Sequence, residues 1–180
     1  MNLKNAFIIV GITILVLATL APSPYSQSAK AQQCDNSLWD HVYLAKIRLS
    51  IQELCISISG TIMNRTPQLD GDIHLLIKLD PKFTNMLTPA NFEHLRGLLV
   101  VEPVCQSNPI NPLSIESCQG FHHNIDIPAD GTHVIITGSY VLENRHGGWA
   151  EIHPVTSIVA SSSAEFSNNV NESATTEPSP

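Results

Sequence analysis

Two β-rich runs near the C-terminal end of the chain constrain its fold more than any other stretch. They cover residues 133–142 and 149–157 and flank a short polar turn. The turn ends in Gly147-Gly148, a pair that readily adopts the positive φ values found at hairpin tips. The pattern predicts a closing β-hairpin, and the remaining strands of the sheet must come from upstream.

Three upstream runs are predicted to supply those strands. Residues 54–63, 72–80 and 98–104 are rich in Val, Ile and Leu, and the first two alternate with the period of a half-buried strand. Gly60 predicts a bulge or tight bend in the first strand. Asp70-Gly71 is a hairpin-turn dipeptide that leads into the second.

The second predicted strand has one apolar face, formed by Ile73, Leu75, Ile77 and Leu79. Because side chains alternate across a strand, His74 is expected to point away from the core. Asp72 lies on the same face as His74.

Two helices are predicted. An apolar stripe at helical spacing indicates one over residues 37–50, and its members are Leu38, Val42, Ala45 and Leu49. The second begins after Thr88, a good N-cap followed by Pro89, and ends at Gly97. Five strands, a glycine-marked first strand and a closing hairpin together predict a mainly β fold, a small OB-type barrel. In that fold the helix usually follows strand three, whereas the inserted helix predicted here follows strand two.

The first 31 residues have the features of a secretory signal. Lys4 precedes an uncharged apolar run of roughly 16 residues at 6–21, shorter than the ~20 that span a bilayer. Ala29-Lys30-Ala31 then fits the small-x-small pattern of a cleavage site. A cleaved signal is favoured over an uncleaved N-terminal anchor. In both cases the rest of the chain is expected outside the cytoplasm.

The remaining chain is predicted to form one β domain over 32–158 and a disordered tail over 159–180, rich in Ser, Asn, Thr and Pro. Residues 1–31 hold two lysines and no acidic residue, so their removal changes the net charge from −7 to −9. Nucleic-acid binding depends on basic side chains that displace counterions. The acidic balance therefore argues against a nucleic-acid partner.

Four cysteines remain in the domain, and an even number in an exported chain favours disulfides. Cys105 and Cys118 bracket a loop rich in Pro and Asn, so we expect them to pair. Cys34 and Cys55 then pair by elimination among the three possible connectivities. A thiolate metal site is the alternative, but the chain has no Cys-x-x-Cys pair to support it.

Ionisable side chains concentrate on the predicted second and fifth strands. Glu151 and His153 lie two residues apart and share a face with Trp149. The candidate binding residues are His74, Trp149, Glu151 and His153, and the candidate metal ligands are His74, Glu102, His146, Glu151 and His153. Imidazole and carboxylate groups in this combination suit a divalent ion such as zinc or manganese. The alternatives are histidines that simply hydrogen-bond their neighbours and a metal-free acid/base site.

Several segments resemble a family of exported, uncharacterised archaeal and bacterial proteins. They are Leu38-Trp39-Asp40-His41-Val42-Tyr43, Arg48-Leu49, Gly60-Thr61, Asp70-Gly71-Asp72-Ile73-His74, Val100-Val101-Glu102 and Gly148-Trp149-Ala150-Glu151-Ile152-His153-Pro154-Val155. The resemblance covers about residues 34–158. It implies an OB-like domain and no assigned activity.

The Asp70-Gly71-Asp72 element is also similar to staphylococcal-type nucleases, which share the OB barrel. Those enzymes need arginines beside their calcium carboxylates. Arg65, Arg96 and Arg145 stand in no matching context here, so nuclease activity is not expected.

The sequence therefore predicts an exported binding or interaction module that uses the face or rim near strands two and five to hold a ligand, an ion or an envelope partner. The alternative is a metal-dependent hydrolase centred on His74, Glu151 and His153. Contact with a membrane is expected only through an uncleaved N-terminal segment.

Overall fold

The structure is a computed structural model that describes residues 33–161. Five strands form its frame: β1 (Leu49–Pro67), β2 (Ile73–Leu79), β3 (Leu99–Val101), β4 (His133–Glu143) and β5 (Trp149–Ala160). The helices are short: α1 (Ala45–Arg48), α2 (Pro89–Leu95), α3 (Ile115–Cys118) and 3-10 turns at Asn36–His41, Pro81–Met86 and Asn144–His146. The prediction of a mainly β fold is confirmed. The predicted signal over 1–31 and most of the predicted tail lie outside the described residues.

The five strands close into a ring in the order β1-β2-β3-β5-β4. All neighbouring pairs are antiparallel except β3 and β5, which run parallel. The hairpin of β4 and β5 has Gly147 and Gly148 at its tip, with φ of 74° and 79°, as their sequence predicts. This order places β3 between β2 and β5, so residues at the end of β3 separate those two strands.

The first strand is much longer than predicted, because it pairs with two neighbouring strands. Its N-terminal part pairs with β4 and its C-terminal part with β2, and Gly60 pairs with both Val134 and Leu79. A Cβ at Gly60 would lie 2.5 Å from the carbonyl oxygen of Lys78 and 2.7 Å from Cγ2 of Ile77. The glycine therefore allows the backbones to approach closely where β1 passes from one neighbour to the other.

Replacing Gly60 with alanine is expected to lower the free energy of unfolding by about 1–3 kcal/mol, since the new methyl group meets backbone that cannot move aside. Chemical denaturation of the oxidised protein measures this change. A Gly60→Ala variant with unchanged stability would show that β1 and β2 are not in close contact there.

The interior of the ring is apolar. Alternating residues of the strands fill it, among them Ile62, Leu75, Ile77, Leu99, Val101, Ile136 and Ile152. The predicted apolar face of β2 is thus confirmed. A second apolar cluster consists mainly of residues from the N-terminal segment and the loop after β3, with Val141 of β4: Leu38, Val42, Leu49, Val104, Cys105, Cys118 and Val141. These segments cover part of the outer face of the sheet.

The prediction of one N-terminal helix over 37–50 is wrong in detail. The chain forms a 3-10 turn, becomes extended at Val42, and reverses at Leu44, whose φ is 53°. The four-residue α1 follows, and β1 begins at Leu49. The break turns Arg48 inward, and the residue is buried. In one continuous amphipathic helix it would lie outside the apolar stripe.

The inserted helix is confirmed as α2. Thr88 and Asn91 form a reciprocal capping box at its start, and Arg96 adopts a left-handed conformation at its end. Asn91 is fully buried and hydrogen-bonds the backbone of Ala150 in β5 through both ends of its amide, at 2.8 and 3.0 Å. The helix is therefore fixed to the strand that carries Glu151 and His153.

Both predicted disulfides are present, Cys34–Cys55 and Cys105–Cys118, and the structure contains no free cysteine among residues 33–161. Disulfides persist in oxidising compartments, which indicates an extracytoplasmic environment. Within the described residues no helix is long and apolar enough to cross a membrane.

Candidate functional site

Three neighbouring strands place His74, Glu102 and His153 in one row. Leu75 of β2 pairs with Val101 of β3, which pairs in turn with Ile152 of β5. Each member of the row lies one residue from these paired positions. Since Leu75, Val101 and Ile152 point into the ring, alternation directs the row to the outer face of the sheet.

Glu102 occupies the centre of this row. Its Oε1 lies 2.7 Å from His74 Nε2, and its Oε2 lies 2.7 Å from His153 Nδ1. Its backbone N–H donates to the carbonyl of Ile152 at 3.0 Å, which extends the parallel pairing by one residue. Glu102 and His153 are buried, whereas the His74 side chain remains 22% exposed.

Glu151 extends the row along β5. Its Oε1 lies 3.3 Å from His153 Nδ1, and its Oε2 accepts a hydrogen bond of 2.9 Å from Trp149 Nε1. Both carboxylate oxygens therefore have partners two residues away on the same face. The imidazole of His146 stacks on the Trp149 indole with the ring centroids 4.1 Å apart.

Arg48 closes the cluster on the side of β1 and β4. Its Nε donates to Glu143 Oε2 at 2.7 Å, and its Nη1 donates to the carbonyl of Tyr43 at 3.2 Å. Nη1 is also 3.8 Å from Asp70 Oδ2, and Nη2 is 3.9 Å from Glu102 Oε2. One permanent cation thus lies among three carboxylates.

Asp72 lies next to the imidazole of His153. Its Oδ1 accepts a hydrogen bond of 2.7 Å from the N–H of Cys105, so the disulfide loop holds the carboxyl in place. Its Oδ2 faces His153 Nε2 at 3.7 Å, and neither atom has a hydrogen-bond partner within residues 33–161. Two buried polar atoms therefore face each other across a gap too long for a hydrogen bond.

The close packing of these groups shifts their pKa values. Burial acts to raise the pKa of Glu102, but His153 and His74 outweigh it and hold the pKa well below its ordinary value. Burial acts to lower the pKa of His153, yet Glu102 and Glu151 raise it well above the ordinary value. The pKa of His74 is raised, because Glu102 outweighs its burial. Burial and the nearby Glu102 together raise the pKa of Asp72 well above its usual range.

These shifts predict a maximum in the stability of the metal-free protein between about pH 4.5 and 6.5. The Glu102 contribution is present above its ordinary pKa of 4.5 and is lost on acidification. The His153 contribution is complete below its ordinary pKa of 6.5 and is lost as the pH rises through its folded value. Urea denaturation across pH 3–9 in the presence of a chelator measures the profile. A stability that rises steadily from pH 5 to pH 8 would contradict this arrangement of charges.

A cleft of ≈ 270 Å³ opens above the row. Eight residues with polar or charged side chains line it: Tyr43, Arg48, Gln68, Asp70, His74, Glu102, Arg145 and His146. Glu102 belongs both to the wall of this cleft and to the buried cluster. The cleft therefore connects solvent to the buried ionic groups.

The structure brings together most of the residues that the sequence predicts for the site. His74, Glu102, Glu151 and His153 form one contiguous cluster, and Trp149 is hydrogen-bonded to it. His146 stays at the exposed tip of the hairpin and lines the cleft. The atoms of Glu102, Glu151 and His153 that could bind a metal all lie within 4.8 Å of one another.

Sequence reasoning missed Arg48 and Glu143. Arg48 lies within the predicted helix but outside its apolar stripe, where an arginine is normally solvated. Glu143 occupies the predicted polar turn, but it is buried opposite Trp149 and pairs with Arg48. The resemblance included Arg48-Leu49 among its segments, and this was the one available signal.

Neither a scan against protein-family models nor a search of curated proteins finds a match to this chain.

Proposed function

We propose that the domain is an extracytoplasmic binding module whose ligand is a divalent metal ion held by Glu102, Glu151 and His153. The observation that supports this is the convergence of three ligand atoms at a buried position. His153 Nδ1 lies 2.7 Å from an oxygen of Glu102 and 3.3 Å from an oxygen of Glu151.

The spacing of these atoms suits a small transition-metal ion. Zinc binds imidazole nitrogen and carboxylate oxygen at about 2.0–2.2 Å, so its ligand atoms in tetrahedral geometry lie about 3.4 Å apart. The 3.3 Å contact between His153 Nδ1 and Glu151 Oε1 already matches this spacing, and the 2.7 Å contact with Glu102 Oε2 would have to lengthen by about 0.7 Å to admit the ion. One nitrogen and two carboxylate oxygens are compatible with zinc or manganese.

The charge of the cluster also favours a cation. Five carboxyl groups meet one guanidinium and two imidazoles: Asp70, Asp72, Glu102, Glu143 and Glu151 with Arg48, His74 and His153. Buried carboxylates are normally paired, protonated or bound to metal. Without metal, protons must supply most of the compensation, and a divalent ion would replace them at the triad.

A second group of carboxylates, Asp70, Asp72 and Glu102, also converges. Asp70 belongs only to this group and lies 3.8 Å from the Arg48 guanidinium, which already supplies a cation there. We therefore assign the metal to the triad that contains His153.

The wider context is part of the same proposal. The strand order, the first strand shared between two neighbours and the glycine at its corner support an OB-like barrel. The disulfides support export through the signal predicted at residues 1–31. We further propose membership of the exported family that the chain resembles, and the acidic chain supports an envelope or extracellular partner rather than nucleic acid.

Elemental mass spectrometry on the oxidised protein, purified without a histidine tag and reconstituted with zinc or manganese, tests the proposal. We expect about one equivalent of metal in the parent protein. Glu151→Gln and Glu102→Gln are expected to lose it, because an amide oxygen is a much weaker ligand than a carboxylate.

Glu93→Gln is the matched control, since it neutralises an exposed carboxylate on α2. It is expected to retain the metal. The proposal is wrong if the parent protein retains no metal after reconstitution, or if both triad variants bind as much as the control.

A metal-dependent hydrolase is the second candidate, and the cleft is the observation that favours it. A metal at the triad would border a space large enough for a small substrate, and a bound water there would have its pKa lowered towards 7. His74 lies on the cleft wall, held by Glu102, where it could accept a proton.

Hydrolysis of p-nitrophenyl acetate and p-nitrophenyl phosphate by metal-loaded and chelated protein tests this candidate. Hydrolysis that requires metal and falls at least tenfold in His74→Gln would support it. Equal rates with and without metal would contradict the hydrolase, and the binding module would remain as the proposed function.

A further inference from the structure

We propose that the cleft contains a subsite for a small oxyanion, a carboxylate or a phosphate, formed by Arg48 Nη2 and the side chain of Arg145. The inference deepens the proposed function, because it names the class of ligand that would lie beside the metal triad.

Arg48 is the first part of the subsite. The side chain is 9% exposed, and two of its three nitrogens donate hydrogen bonds, to Glu143 and Tyr43. Nη2 forms no hydrogen bond within the described part of the chain, and it lies 3.9 Å from Glu102 Oε2. A buried guanidinium with an unused nitrogen next to a cleft is a ready donor to an oxyanion.

Arg145 is the second part. It lies on the hairpin tip and lines the same cleft, with an exposed side chain that forms no ion pair with residues 33–161. Its backbone is fixed, because its N–H donates to Glu143 Oε1 at 2.9 Å. Glu143 therefore holds both arginines, Arg48 by its side chain and Arg145 by its backbone.

The two carboxylates of the cleft leave room for an anion. Glu102 is already engaged by His74 and His153 at 2.7 Å. Asp70 accepts a hydrogen bond of 3.3 Å from the N–H of Asp72 and lies 3.8 Å from Arg48. Glu102 is thus compensated by two close imidazoles, and Asp70 is the carboxylate of the cleft that would repel the ligand most. The ≈ 270 Å³ of the cleft falls just below the ~300–1,000 Å³ of drug-sized sites, which suits a ligand of a few heavy atoms.

Calorimetric titration with sodium phosphate and with sodium acetate, at constant ionic strength, tests the subsite on the full oxidised chain. Arg145→Gln is expected to weaken binding about fivefold. Arg48→Lys, which retains a charge for Glu143 but lacks Nη2, is expected to weaken it at least tenfold. Asp70→Asn keeps the Oδ1 acceptor and is expected to tighten binding several-fold.

Lys78→Gln is the matched control, because it removes one exposed positive charge from β2 outside the cleft. It is expected to change the affinity less than twofold. Equal weakening in Lys78→Gln and Arg145→Gln would overturn the subsite, since it would indicate non-specific charge attraction. Unchanged affinity in Arg145→Gln would also overturn it, and this exposed variant decides the matter if Arg48→Lys does not fold.

The two anions distinguish the source of the oxyanion. Mutual competition supports a general oxyanion site, binding of phosphate alone supports a phosphate ester, and binding of acetate alone supports a carboxylate. Metal content measured on the same samples separates the two proposals. Metal without anion binding would overturn the subsite and leave the metal module, whereas anion binding without metal would support the subsite and overturn the metal proposal.

Discussion

Replacing Glu102 with alanine is expected to lower the free energy of unfolding by about 3–5 kcal/mol, the typical effect of removing one partner from a buried ion pair. Glu102 is fully buried and lies 2.7 Å from both His74 and His153. Its removal leaves His153 with Glu151 at 3.3 Å and Asp72 at 3.7 Å. Urea denaturation at pH 6 in the presence of a chelator measures the loss without any contribution from metal.

Two variants make this result specific. Glu102→Gln preserves the volume and can hydrogen-bond to both imidazoles, so it is expected to lose less stability than the alanine variant. Glu93→Ala removes an exposed glutamate and is expected to stay within about 0.5 kcal/mol of the parent protein. Comparable small losses for Glu102→Ala and Glu93→Ala would show that the ionic row does not form.

Removing the Cys105–Cys118 disulfide is expected to lower the stability by about 3 kcal/mol, the loop-closure effect for a separation of 13 residues. A further effect on the site is expected. Because the N–H of Cys105 donates to Asp72 Oδ1 at 2.7 Å, a released loop no longer fixes Asp72 next to His153. Denaturation and metal content of a Cys105→Ala, Cys118→Ala double variant measure both consequences.

The second disulfide provides the control. A Cys34→Ala, Cys55→Ala variant opens a loop of similar size, 21 residues, by removing the disulfide that ties the N-terminal segment to β1. It is expected to lose similar stability but to keep metal affinity within about twofold. Loss of metal from both double variants alike would show that the Cys105 loop has no special relation to the site.

Local sequence patterns were sufficient to predict those elements whose structure depends on neighbouring residues. The alternation of β2, the Thr88 cap and the glycine pair of the hairpin each follow from neighbouring residues. The pairing of Cys105 with Cys118 was likewise suggested by the loop between them. The common face of Glu151 and His153 required only the period of a strand.

The features of the site that the sequence did not predict depend on contacts between distant segments of the chain. The centre of the site is Glu102, because β3 lies between β2 and β5 and runs parallel to β5; nothing local to Glu102 indicates this. The inward turn of Arg48 depends on Leu44 and on Glu143, 95 residues further along the chain. The burial of Glu102 and His153 depends on segments that cover the outer face of the sheet. The alternation of polar and apolar residues along a strand does not predict that such segments are present.

A crystal structure of the oxidised protein soaked with zinc or manganese, with anomalous diffraction recorded at the metal edge, shows directly whether the triad binds metal. We expect one strong anomalous peak about 2.0–2.2 Å from His153 Nδ1, Glu102 Oε2 and Glu151 Oε1. A triad without a peak, or metal bound solely at exposed histidines such as His146 or His94, would contradict the proposed metal site.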